Sequence, residues 1–210
     1  MREIDSGPCR ERVQPMDHNP FATRFVRPGA LAYRFGTGDS AERLVERLRA
    51  SGWWGQIIGP HGSGKSTLLA SLRPALAEAG RMTFAIALHQ HERRLRPTDQ
   101  LDGLGPDSQL IVDGYEQLRR WARWRLAHRC RRVGCGLLVT AHEDVGLPTV
   151  ALVEPSLETL RHVVGQLTSE GDSTIGDDVV SAAWQRCRGN LREALFDLYD
   201  LYESRRRAVE

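Results

Sequence analysis

The spacing of hydrophobic positions along this chain changes rhythm twice. Between 40 and 50, Ala41, Leu44, Val45 and Leu48 recur at helical intervals, which predicts a short amphipathic helix ending near Gly52. From 53 onward, short continuous apolar runs alternate with helical patterns. Runs at 53–58, 82–88, 109–113 and 136–140 read as buried strands, with a shorter fifth at 150–153. Helical patterns fill 65–79, stopped by Gly80, and 115–133; a polar loop occupies 89–108. Strands that are apolar throughout, separated by helices, predict a parallel sheet covered on both faces. Beyond Pro155 the strand rhythm is gone, and helices are expected over 156–169, 177–188 and 190–206.

The organisation implied is an arm over 1–36, an α/β body over 37–154 and a small helical subdomain over 155–210. The arm is rich in Pro, Gly and Arg with isolated aromatics, and reads as a segment draped over the body. Composition changes this picture little. A chain of 210 residues, 40% hydrophobic and 27% charged, is ordinary globular material, which excludes wholesale disorder and fibrous repeats. A net charge of +2 makes no case for bulk attraction to nucleic acid or membrane. No apolar run approaches the ~20 residues that span a bilayer, and 1–20 lacks the apolar stretch of a secretory signal, so a cytoplasmic location is expected. Cys9, Cys130, Cys135 and Cys187 lack zinc-knuckle spacing, and reduced thiols are expected.

Charge type is more informative than net charge. Lysine and arginine total 29, and Lys65 is the one lysine. Arginine is the default cation here, so a position that keeps lysine is one where a planar fork cannot replace a compact ammonium. Lys65 falls within Gly59-Pro60-His61-Gly62-Ser63-Gly64-Lys65-Ser66-Thr67, which fits G-x-x-x-x-G-K-[ST] between a predicted strand and a predicted helix. In that setting the loop's backbone N–H groups and the helix N-terminus cradle phosphates. Lys65 then reaches the β- and γ-phosphates, and the Ser66 hydroxyl ligates Mg²⁺. ATP with Mg²⁺ is the expected cofactor.

The partner carboxylate is Asp113, at the end of the apolar run Leu110-Ile111-Val112. Asp113 is expected to hold Mg²⁺; a plain helix-capping role is the alternative. Many hydrolytic phosphate-loop enzymes place Glu directly after this Asp, but Gly114 stands here. Glu116 is then either the base that polarises water or a carboxylate favoured at a helix N-terminus. At the end of the next strand, Thr140 or His142 is placed to sense the γ-phosphate, or simply to end the strand. In the tail, Gly189 can end one helix, Asn190 can cap the next, and Glu193 can close a capping box, which sets Arg192 in the first turn of the last helix.

Together these features resemble the AAA+ ATPases, particularly the ExeA-like and origin-recognition-like members. The resemblance extends to the Asn19-Pro20-Phe21 lead-in and covers most of 19–203. It implies a parallel-sheet P-loop NTPase core with a C-terminal helical lid, and gives Arg192 the role of the lid arginine that contacts the γ-phosphate. It also implies ATPase activity and either a protein partner or a homo-oligomer, although no arginine finger is identifiable. Three functions stay open: an ATP-driven machine, a weakly hydrolysing nucleotide switch, and a small-molecule kinase whose acceptor pocket would use Arg93, Arg94 and Arg96. The stretch 119–132 holds seven arginines with Trp121 and Trp124 interleaved. It is either a nucleic-acid surface or the solvated face of a helix whose core stripe is Tyr115, Leu118, Ala122, Leu126, Cys130 and Val133. His89 and His91 with Glu92 read as a surface loop rather than a metal cluster.

Overall fold

A computed structural model of the chain describes residues 19–88, 101–168 and 175–209. The elements follow the chain in the order α1 (Thr23–Val26, a single turn), α2 (Ala41–Ala50), β1 (Trp54–Ile58), α3 (Lys65–Glu78), β2 (Met82–Ala87) and β3 (Ser108–Asp113). After a 3-10 turn at Tyr115–Gln117 come α4 (Arg120–Val133), β4 (Gly136–Ala141), β5 (Thr149–Leu152), α5 (Leu157–Leu167), α6 (Asp177–Arg186) and α7 (Leu191–Val209). Five parallel strands form one sheet in the order β2-β3-β4-β1-β5.

The strands are apolar on both faces because both faces are covered. Ile57, Ile111 and Leu138 pack towards α2 and α3, against Leu44, Leu48, Leu68 and Leu72. Their neighbours in sequence, Leu110, Val112, Leu137 and Val139, point the other way and pack with Leu126 and Cys130 of α4. This is the period-two alternation of a strand serving two cores. The central strand β4 is buried along its whole length. The outer strands β2 and β5 leave Met82 and Leu152 exposed.

The expected helix over 115–133 is interrupted. Leu118 is extended, with φ −69° and ψ 138°, and its side chain is buried in the α4-side core. Arg123 stabilises the break: its guanidinium donates to the Leu118 and Glu116 carbonyls at 2.8 and 2.7 Å, acceptors that a continuous helix would have used itself. The core stripe still holds, with Tyr115, Leu118, Leu126 and Cys130 buried and Ala122 and Val133 partly so.

The C-terminal helices form a separate apolar cluster from Leu160, Val164, Val180, Ala183, Ala194 and Leu198. Residues 19–21 belong to this cluster. Phe21 is buried within it and meets Tyr202 edge-on at 6.1 Å. Asn19 donates to the Tyr199 carbonyl and to Glu203, each at 3.0 Å. Further along the arm, Tyr33 and Phe35 pack on the α2–α3 core, so residues 19–36 strap the helical unit to the body. A draped arm is what the sequence leads one to expect, but isolated aromatics carry no periodicity that tells which core each one joins.

Candidate functional site

The carboxyl ends of β1, β3 and β4 converge, and β4 lies between the other two. From β1 the chain turns through 59–64 into α3, whose first residue is Lys65. Lys65 is only 8% exposed and donates to the Gly59 and Pro60 carbonyls at 2.6 and 2.7 Å. Burial holds its pKa below the usual lysine range; Glu116 and then Asp113 oppose that shift, while Arg192 adds to it. Both acids and Arg192 are therefore close enough to act on this ammonium.

Ser66 Oγ donates to Asp113 Oδ2 at 2.6 Å, across the gap between α3 and β3. The other carboxylate oxygen, Oδ1, accepts from Thr140 Oγ1 at 2.6 Å, and Thr140 Oγ1 in turn accepts from the Gly114 N–H at 2.8 Å. Thr140 is fully buried, so its hydroxyl is committed to orienting Asp113. The residue left facing the loop at the end of β4 is His142. Its ring meets His61 edge-on at 5.6 Å, and its Nε2 lies 3.4 Å from Glu116 Oε1. Burial lowers the His142 pKa despite Glu116, with Lys65 and His61 pushing the same way. The second Glu116 oxygen, Oε2, is buried and has no hydrogen-bond partner among the described residues. An unpaired carboxylate oxygen inside a site is costly in stability and is free to accept a hydrogen bond.

Gly114 explains the displaced acid. Its φ is +83°, and a Cβ there would sit 2.9 Å from the Leu88 carbonyl, so Glu cannot follow Asp113 on this backbone. The 3-10 turn instead brings Glu116 round to the His142 side.

The helical unit touches the loop directly. A Cβ on Gly62 would overlap the Asn190 side-chain oxygen and lie 3.1 Å from Arg192 Cβ. Asn190 caps α7 by accepting from the Arg192 and Glu193 N–H groups at 3.1 and 3.2 Å. Only half of the expected capping box forms, because the Asn190 N–H is already bonded to the Cys187 carbonyl at 3.0 Å. Arg192 thus leaves the cap exposed, beside the loop.

Trp53 and Trp54 sit at the opposite end of β1, about 15 Å of strand from the loop, stacked under Arg81 and Arg131. Cys130 and Cys135 are buried free thiols. Among the described residues no three His, Cys, Asp or Glu side chains gather as a metal-holding group. The His89–Glu92 cluster and the Arg93, Arg94 and Arg96 acceptor candidates lie outside the described residues.

No protein-family model and no curated protein sequence matches the chain. Solved structures do. Cdc6p from Pyrobaculum aerophilum is 13% identical, with a TM-score of 0.60 over 90% of this chain and 66% of that one. Two RuvB point variants from Thermotoga maritima are 17% and 19% identical, with TM-scores of 0.52 and 0.51 over 78% of this chain. This chain spans 61% and 60% of the RuvB chains. These proteins are AAA+ P-loop NTPases, and the chain has their fold. Among the described residues no helix is long and apolar enough to cross a membrane.

Proposed function

We propose that this chain binds ATP with Mg²⁺ at residues 59–67 and hydrolyses the γ-phosphate, with the helical unit as a lid. The observation that supports this most is the chain Ser66–Asp113–Thr140, which joins the start of α3 to the ends of β3 and β4, with Lys65 held against the 59–60 carbonyls beside it. Ser66 Oγ and Asp113 Oδ2 offer a hydroxyl and a carboxylate 2.6 Å apart, the hard oxygen donors that Mg²⁺ prefers. Those two residues would hold the ion, which when bound neutralises phosphate charge.

The rest of the chemistry belongs to the chain. Lys65 exchanges its two loop carbonyls for phosphate oxygens and brings a point charge to the γ-phosphate. Thr140 keeps Asp113 from rotating. Glu116 accepts a proton from the attacking water at Oε2, and His142 orients Glu116 through Oε1. Arg192 adds positive charge from the lid side as it closes. Catalysis of this kind is mainly positioning and charge neutralisation.

Gly114 favours a second reading, a switch that binds ATP and turns it over slowly, because the acid reaches the site from a turn rather than from the strand end. Calorimetric ATP binding and steady-state phosphate release separate the two. Wild type is expected to bind and release phosphate, Lys65→Ala to lose binding, and Glu116→Gln to bind but lose at least about tenfold in turnover. Unchanged binding in Lys65→Ala would overturn the site. Unchanged turnover in Glu116→Gln would remove that residue from the mechanism, and tight binding without release would select the switch.

A further inference from the structure

The face of α4 turned away from the sheet carries an arrangement that the nucleotide site does not use. Trp121 and Trp124 are 65% and 62% exposed, although tryptophan is usually well buried. Each indole is already backed by the residue four positions on. The Arg125 guanidinium lies 4.6 Å from the Trp121 ring centroid, and His128 stacks on Trp124 at 5.4 Å and 11°. The two indoles are three residues apart, about 4.5 Å along the helix axis. That distance is close to the spacing of successive nucleotides in a strand, about 3.4 Å.

The charge on this face is one-sided. Residues 119–133 contain seven arginines and no acid. Arg123 is bound to backbone carbonyls, Arg129 pairs with Asp102, and Arg131 covers Trp54. Arg119, Arg120 and Arg132 have no carboxylate partner among the described residues. Alongside them, Leu101, Ala122 and Val133 help to line a hollow of about 840 Å³. Arginine content alone carries nothing in a chain with one lysine; the two exposed, pre-stacked indoles among the arginines do.

We propose that this face binds single-stranded nucleic acid, with Trp121 and Trp124 stacking on bases and Arg119, Arg120 and Arg132 neutralising phosphates. Flat ring faces suit unpaired bases, whereas a duplex hides its base faces in its own stack. An acidic protein would match the arginines but would leave the two stacked platforms without a role. The proposal is independent of ATP binding, so it is tested in wild type without nucleotide.

The assay is fluorescence anisotropy of a labelled oligo-dT at several salt concentrations, with the oligo-dT·oligo-dA duplex and a poly-glutamate peptide as competitors. Affinity for oligo-dT is expected to fall linearly with salt on logarithmic axes. Arg119→Ser with Arg132→Ser should reduce that slope by about 1.4, at about 0.7 per phosphate contact. Trp121→Ala with Trp124→Ala should weaken binding about tenfold or more, and the Phe pair should retain most of it. Both side chains are exposed, so these variants should melt like wild type. Absence of salt-sensitive binding would overturn the proposal, as would equal affinity in the Ala pair or stronger competition by duplex or poly-glutamate. So would a change of oligomeric state in the Ala pair on size exclusion, which would make the face a contact between copies.

Discussion

Gly62 is where the helical unit rests on the 59–64 loop, which makes Gly62→Ala a direct test of that contact. Two costs follow from the structure. The backbone at Gly62 has φ +73°, and a left-handed residue bearing a Cβ costs roughly 1–2 kcal/mol. The new methyl also overlaps the Asn190 side-chain oxygen, the atom that caps α7 through two N–H groups. Displacing it loses about 1 kcal/mol of helix capping. We predict a total loss of about 2–3 kcal/mol, which for a chain of this size lowers Tm by roughly 4–12 °C. Gly80→Ala isolates the first cost, because Gly80 has φ +77° and no atom within 4 Å of where the methyl would sit. The two costs can also be separated through Asn190→Ala, which removes both cap and overlap. In that background Gly62→Ala should cost clearly less than in wild type and approach the cost of Gly80→Ala, apart from the remaining 3.1 Å approach to Arg192 Cβ. Urea denaturation followed by tryptophan fluorescence measures all four variants. If Gly62→Ala is no more destabilising than Gly80→Ala, the lid does not sit on the loop as described.

Three other contacts can be tested in the same way. Thr140→Val leaves Asp113 Oδ1 and the Gly114 N–H without their buried partner, so it should cost about 1–3 kcal/mol. It should also raise the Mg²⁺ concentration needed for half-maximal ATP binding by about tenfold or more, and an unchanged titration would deny Thr140 its orienting role. Phe21→Ala removes the aromatic anchor of the arm from the lid core and should cost about 3–5 kcal/mol; a loss under about 1 kcal/mol by urea titration would place the arm outside the fold. His142 has a folded-state pKa below its ordinary 6.5, because burial, Lys65 and His61 outweigh Glu116 and Glu143. Below pH 6.5 the unfolded chain takes up the proton before the folded chain does, so the contribution of His142 is present above 6.5 and is lost as pH falls. His142→Asn should flatten the acid limb of the stability–pH curve, and an unaltered limb would refute this.

The order of strands and helices along the chain, the α/β class, and the loop carrying Lys65 and Ser66 were legible in the sequence alone. Each is written in neighbouring residues: apolar runs of strand length, helical spacing, and glycines between a strand and a helix. Asp113 was legible for the same reason, as the polar end of an apolar run. The break at Leu118 was not, since the same three-to-four spacing continues through it and the residue that stabilises it acts by reaching back with its side chain.

What the tertiary structure alone decided depends on residues distant in sequence. Placing β4 between β1 and β3 brings Thr140 onto Asp113 and leaves His142 to meet Glu116 and His61. Sequence treated Thr140 and His142 as alternatives for one task; packing gives them different partners. Phe21 joins the lid although its ring partner Tyr202 lies at the far end of the chain, and no local pattern encodes that contact. The 119–132 stretch resolves in the same way: its core stripe follows from periodicity, but the exposure of Trp121 and Trp124 depends on what else packs against α4. Periodicity reports which side of an element is apolar, and only the packing of the whole sheet decides what meets it.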